Sequence, residues 1–174
     1  MDTIEISKCI LLDPQLRKYC CGVYPVNKIP PPHGIPFGTI VNLDKDNEPG
    51  SHWVAIYVPA EGLPEYFCSY GEDLNSKYLE KYFDKHKQGI RYNDRRLQGE
   101  YSSACGQYCV YFLYHRVRQI PMDRIVHVFS RNYDHNDSVV TGWVNSKFDL
   151  KMPAYDIDFL VNQMCRSMCE NCWK

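Results

Sequence analysis

The sequence predicts an α+β domain, a central antiparallel sheet packed by helices with one buried helix in the middle of the order. Three observations lead there. Alternating runs at 37–43, 52–58 and 65–70 are separated only by the turns 44–50 and 61–64, which is the pattern of an antiparallel meander. Leu74, Tyr78, Tyr82 and Phe83 recur at helical spacing, so 75–87 reads as an amphipathic helix. The stretch 104–116 has no proline, and Ala104, Tyr108, Val110, Tyr111, Phe112, Leu113 and Tyr114 point to nearly every side, so this helix is buried on most faces.

The elements follow in order. Asp13-Pro14 is an N-cap with a first-turn proline, and Gly22 is the stop after Leu16 to Cys21. Pro25 to Pro36, with Pro30-Pro31-Pro32 and Gly34, reads as extended and irregular. The three strands and the 75–87 helix come next, then a short strand at 90–93 and the central helix. Pro121 opens a short helix ending near Phe129. The stretch 131–152 is polar and reads as irregular, with short strands near Val139 and Trp143, and 156–168 reads as a terminal helix.

Bulk composition narrows the class. A length of 174 residues fits one domain, taken as 1–174, with a real core. Apolar residues are 44% and charged residues 24%, as in an ordinary soluble globular protein. A formal net charge of -1 excludes strong whole-molecule attraction to nucleic acid. No apolar run approaches the ~20 residues of a membrane span, so no membrane partner is expected. Met1 to Lys8 has no basic region leading into an apolar one, so no secretory signal is expected. Nine cysteines are an odd count, which favours free thiols in a reducing, intracellular setting.

One segment carries chemistry. The run from Gln98 to Cys109 delivers Cys105 to the first turn of the central helix, where unpaired N–H groups and the helix dipole favour a thiolate. Gln98, seven residues upstream, has a side-chain amide suited to a developing oxyanion. His52 opens the second strand. A Cys and a His brought together are the minimum for thiol nucleophilic catalysis.

The motifs His52-Trp53, Tyr66-Phe67-Cys68-Ser69-Tyr70-Gly71, Gln98-Gly99 and Ser103-Ala104-Cys105-Gly106 stand in that order. From about Gly22 to about Leu113 the chain resembles the adenain group of cysteine proteases. These are the adenovirus maturation protease and its relatives in polinton (Maverick) elements, distant kin of the proteases that process ubiquitin-like modifiers. The resemblance implies an adenain/papain-like fold, His52 as general base, Cys105 as nucleophile and Gln98 as oxyanion donor beside the Cys105 backbone N–H. Trp53 reads either as a shield and substrate contact or as plain core. Cys68 departs from the pattern, because the family has Asp or Glu there to orient the imidazole. Three readings stay open: a His52–Cys105 pair working alone, a carboxylate from Glu65, Glu72 or Asp73 reaching in, or loss of activity. Strand alternation puts Glu65 on the face opposite Cys68.

The expected function is that of a cysteine endopeptidase. It would cleave structural precursors of a virus or virus-like element at small-residue, Gly-containing motifs, inside the host cytoplasm or nucleus and in the virion. Two alternatives remain, a deconjugating protease for ubiquitin-like modifiers and an inactive protease fold that binds. No cofactor or metal is expected, although the resemblance allows DNA or a peptide as activator. Lys77, Lys81, Lys85, Lys87, Arg91, Arg95 and Arg96 form a basic stretch that would meet phosphates, or a solvated face with Glu80, Asp84 and Asp94 interspersed. No Cys lies between Cys68 and Cys105, so covalent activation by a peptide is not expected. Cys165, Cys169 and Cys172 are three ligands short of a fourth, and read as ordinary thiols. Cys20, Cys21 and Cys109 read as packing. His33, His86, His115, His127 and His135 have no metal-ligand spacing.

Overall fold

The computed structural model describes residues 1–32, 34–84 and 89–150. The fold is α+β, with helices packed on a five-stranded sheet in the order β1-β2-β3-β4-β5. The strands are β1 Cys20–Pro25, β2 Phe37–Asn42, β3 Trp53–Val58, β4 Glu65–Phe67 and β5 Arg91–Tyr92. The helices are α1 Thr3–Leu12, α2 Pro14–Tyr19, α3 Lys77–Phe83, α4 Cys105–Arg116, α5 Met122–His127 and α6 Tyr133–Lys147.

The meander is present. β2, β3 and β4 are antiparallel in the order expected, in a register that pairs Ala55 with both Ile40 and Phe67. The sheet as a whole is mixed, which corrects the expectation of an antiparallel one. β1 lies parallel to β2, and β5 parallel to β4. Parallel neighbours need a crossover. The proline-rich 26–36 segment is one crossover, and the segment carrying α3 is the other.

Alternation along β3 sorts its side chains between two cores. Ala55 and Tyr57 face α4 and join Tyr108, Cys109, Phe112 and Leu113, together with Ile6 and Ile10 of α1 and Val140 and Val144 of α6. Val54, Ile56 and Val58 face the other side, with Val41, Leu79 and Phe83. The Phe67 and Phe112 rings stack at 4.4 Å and 6°, locking α4 to the sheet. Burying each such side chain contributes about 1.5–3 kcal/mol, so α4 is placed by its long apolar surface.

Several elements differ from the sequence reading. α1 was not expected. Its start is fixed by a capping box, in which Asp2 accepts from the Glu5 N–H and Glu5 from the Asp2 N–H. Asp13 does cap α2, but that helix ends at Tyr19, and Cys20-Cys21-Gly22 begin β1 instead of ending a helix. β4 stops at Phe67, and the chain then turns, with Gly71 N–H donating to Cys68 O at 2.8 Å. The expected irregular stretch and strands near Val139 and Trp143 are instead α6. Asn132 caps it by accepting from the His135 N–H, and Val140, Val144 and Phe148 recur at helical spacing inside the core. Three β-branched residues, Val139, Val140 and Thr141, and then Gly142 gave this stretch weak helix propensity, which tertiary packing overrides. The expected helix at 156–168, the cysteines Cys165, Cys169 and Cys172, and Lys85, Lys87, His33 and His86 lie outside the described residues.

Candidate active site

Cys105 is the first residue of α4. Ala104, its N-cap, makes no side-chain cap, so the N–H groups of the first turn are left without a side-chain acceptor. Gly106 explains how the turn reaches the sheet. A Cβ there would stand 2.9 Å from Met1 Cβ, 3.2 Å from Ile6 Cδ1 and 3.4 Å from Trp53 Cδ1. The Trp53 ring therefore lies directly against the residue after Cys105. Its indole N–H donates to Met1 O at 3.2 Å. Trp53 is thus taken up in seating the first turn of α4 on the start of β3.

His52 immediately precedes β3, and its carbonyl accepts from Leu43 N–H at 2.9 Å, so the β2–β3 ladder holds its backbone. The His52 Nε2 atom is 3.4 Å from Cys68 Sγ. The ring stacks on Tyr70, with centroids 4.9 Å apart. Cys68 therefore occupies the position that faces the far nitrogen of the imidazole, and Nδ1 makes no hydrogen bond among the described residues. Burial, with no charged neighbour acting against it, lowers the His52 pKa from 6.5 to about 4. The ring is neutral at neutral pH.

No carboxylate reaches the imidazole among the described residues. Glu65 is buried elsewhere, where its carboxylate accepts from Arg116 Nε at 2.6 Å and Nη2 at 3.3 Å. Glu72 and Asp73 are exposed. Position 68 itself is tightly built. Asn93 Oδ1 accepts from Cys68 N–H at 2.9 Å, and Asn93 Nδ2 donates to Cys68 O at 2.7 Å. Burial pushes the Cys68 thiol up, against backbone N–H groups of Glu72, Tyr70 and Gly71 that face the sulfur. Gly71 has φ +67, and a Cβ there would stand 2.5 Å from the Arg95 backbone, so the 95–96 segment runs directly over this turn.

Gln98 is 1% exposed. Its Oε1 accepts from Ser69 Oγ at 2.6 Å, and its Nε2 donates to Ser102 O at 2.7 Å. A carbonyl only accepts, so this pair fixes which end of the amide is which. The second Nε2 hydrogen meets Tyr70 Oη at a long 3.3 Å. That weak bond is the one a stronger acceptor would replace. Leu97 and Gln98 N–H both donate to Ser69 O, at 2.8 and 3.1 Å. Asp137 ties the loop to the helices, accepting from Gly99 N–H at 3.0 Å and from the Tyr108 hydroxyl at 2.9 Å.

No known family model matches the chain. Over 98 residues it is 34% identical to a protein of Acanthamoeba polyphaga mimivirus provisionally named a thiol protease, an alignment that covers 51% of this chain and 32% of that protein. The chain thus spans about a third of the length of the curated relative it matches. Among solved structures it is similar to the selenomethionine form of an ASFV protease, at 24% identity and a TM-score of 0.45, over 58% of this chain and 40% of that one.

The structure brings His52, Cys68, Tyr70 and Gln98 together, and brings Trp53 against the turn that starts with Cys105. Sequence reasoning gave no role to Tyr70, Ser69, Asn93 or Asp137. Tyr70 stood inside a recognised string. Asn93 had no local signal, because its partner lies 25 residues away. Of the basic stretch, Arg91 is paired with Asp123, and Arg95 donates to Phe129 O at 2.7 Å. No described helix is long and apolar enough to cross a membrane.

Proposed function

We propose that this chain is a cysteine endopeptidase. The observation that carries the reading is the packing of Trp53, the residue after His52, on Gly106, the residue after Cys105, together with a neutral His52 whose Nδ1 has no hydrogen-bond partner among the described residues. The similarity to the mimivirus protein supports the same chemistry. His52 Nδ1 takes the proton of Cys105 Sγ as the sulfur attacks the scissile carbonyl. The oxyanion is received by the Cys105 backbone N–H and by Gln98 Nε2, which exchanges its long bond to Tyr70. The imidazolium gives its proton to the leaving amine, leaving a thioester. Water, deprotonated by His52, then releases the acid and restores the thiol.

The resemblance to adenain-type enzymes extends the proposal. Substrates are structural precursors of a virus or virus-like element, cut at Gly-containing motifs inside the infected cell or the virion. DNA or a peptide is the candidate activator, and Lys77, Lys81, Arg95 and Arg96 are the described members of the expected nucleic-acid patch that make no ion pair among the described residues.

The test is turnover of a Gly-Gly fluorogenic peptide by the chain and by Cys105→Ala, with and without duplex DNA. Turnover lost in Cys105→Ala supports the reading. Labelling by a thiol-directed electrophile is the second measurement. If Cys105 labels no faster than Cys21 and no peptide is cut under any condition, the protease reading fails and a binding fold replaces it.

A further inference from the structure

One cavity lies beside the candidate site and is not used by it. It measures about 500 Å³ and is lined by Asp94, Arg95, Arg96, Arg131 and Tyr133. We propose that this cavity is a subsite for an acidic side chain of the peptide substrate, within a few residues of the bond that Cys105 attacks. The proposal rests on the peptidase reading for the word substrate, and on the geometry below for the ligand chemistry.

Three guanidinium groups face one carboxylate across a single cleft. Arg91, Arg116 and Arg118 each have a carboxylate partner, whereas Arg95, Arg96 and Arg131 have none within ion-pair distance among the described residues. Arg96 is held in a fixed pose. Its guanidinium carbon is 5.7 Å from the Tyr70 ring centroid and 5.1 Å from that of Tyr133, and its Nε donates to Gln98 O at 2.8 Å. That leaves the Nη1/Nη2 edge for a bidentate carboxylate. The two walls are joined at their base. Asn136 Nδ2 donates to both Leu97 O and Ser130 O at 3.0 Å, and Arg95 Nη2 donates to Phe129 O at 2.7 Å. The cleft is therefore formed before any ligand arrives.

The cleft is also wired to the site. Arg96 holds the carbonyl of Gln98 and lies over Tyr70, and Tyr70 in turn stacks on His52. An acid bound at Arg96 sits one side chain away from the imidazole. The surroundings favour a peptide over a polyphosphate. The volume suits one or two side chains, and Asp94 in the wall, with Glu100 and Asp134 exposed nearby in sequence, opposes a continuous run of phosphates.

The test is fluorescence anisotropy on Cys105→Ala, which separates docking from turnover. Labelled peptides centred on Gly-Gly carry Asp or Glu at each of four positions on either side, against Asn or Gln controls. At one position the acidic peptide should bind about tenfold or more tightly at low salt, as expected for charge-assisted hydrogen bonds. Arg131→Gln, at an exposed position, should weaken that preference and leave the amide peptide unchanged, and Arg96→Gln should remove the preference. Equal binding of acidic and amide peptides at every position overturns the proposal, as does a preference that survives both substitutions. Duplex DNA bound through these arginines, with no acidic preference among peptides, assigns the cleft to nucleic acid and overturns it as well. If the acidic preference holds but the unsubstituted chain cuts nothing under any condition and its Cys105 labels no faster than Cys21, the peptidase reading fails and the acid-binding cleft stands.

Discussion

Replacing Cys68 with Asp tests the geometry around His52 most directly. Burial alone takes the imidazole from 6.5 to about 4, roughly 3 kcal/mol against the charged ring. A carboxylate in place of Sγ, now 3.4 Å from Nε2, would favour the imidazolium by about one to three pH units, or ~1.4–4 kcal/mol. The carboxylate itself would be received by the N–H groups of Tyr70, Gly71 and Glu72 that already face position 68. His52 in Cys68→Asp should therefore titrate between about 5 and 7. If about half of that stabilisation is expressed in the transition state, turnover at pH 8 rises by roughly 3- to 30-fold. The assay is NMR titration of the His52 ring, assigned by its absence in His52→Asn, beside the pH profile of kcat/KM and a thermal melt. A His52 that still titrates near 4 in a folded Cys68→Asp protein would refute the reasoning, because position 68 would then not face the ring.

Three further outcomes are expected. Cys105→Ser should remove turnover and move Tm by less than about 3 °C, because one atom changes and the packing stays; a larger fall in the melt would make Cys105 structural. His52 should make stability fall as pH drops, because a folded pKa of about 4 lies below the unfolded 6.5 and the unfolded chain binds the extra proton in that window. The cost between pH 7.5 and 5 is about 2 kcal/mol, read as the part of the denaturant-midpoint change that His52→Asn removes; burial lowers His115 in the same direction, so only the difference is diagnostic. Glu65→Ala should cost about 3–5 kcal/mol in urea unfolding by leaving Arg116, 8% exposed, buried without its partner, and a loss under 1 kcal/mol would mean that the pair is not closed in solution.

The sequence made the central meander and α4 legible, because both rest on local periodicity. It concealed whatever depends on distant partners. β1 looked like a helix end because Gly22 follows Cys20-Cys21, and only pairing with β2 makes it a strand. α6 was hidden because fewer than half of its residues are apolar and four poor helix formers stand in its middle. In the candidate site, His52, Gln98 and Cys105 were marked by motif order. The Cys68 contact was foreseen as a departure from a pattern, and the structure gives it a distance. The charge of His52 was not legible, because residue identity says nothing about desolvation and here burial decides the charge of the imidazole. Asn93, Asp137 and the arginine cleft exist only once segments tens of residues apart have packed.

The neutral His52 has unequal consequences for the two halves of the proposed reaction. In acylation the imidazolium forms beside the Cys105 thiolate, so each charge offsets the desolvation of the other. In deacylation the sulfur is locked in the thioester. His52 must then draw a proton from water with no anion beside it, because burial keeps the Cys68 thiol protonated and neutral. A base with a pKa of about 4 does this poorly, so deacylation should limit turnover and the acyl-enzyme should accumulate. Pre-steady-state release of an amine leaving group should show a burst approaching one equivalent of enzyme, followed by a slow steady state. Cys68→Asp should speed the steady state more than the burst, because the added carboxylate matters most when the thiolate is absent. A linear time course from the first turnover, with the same rate for ester and amide substrates that share an acyl group excluded, would place the barrier in acylation and contradict the assignment of His52 as a weakly basic, uncompensated ring.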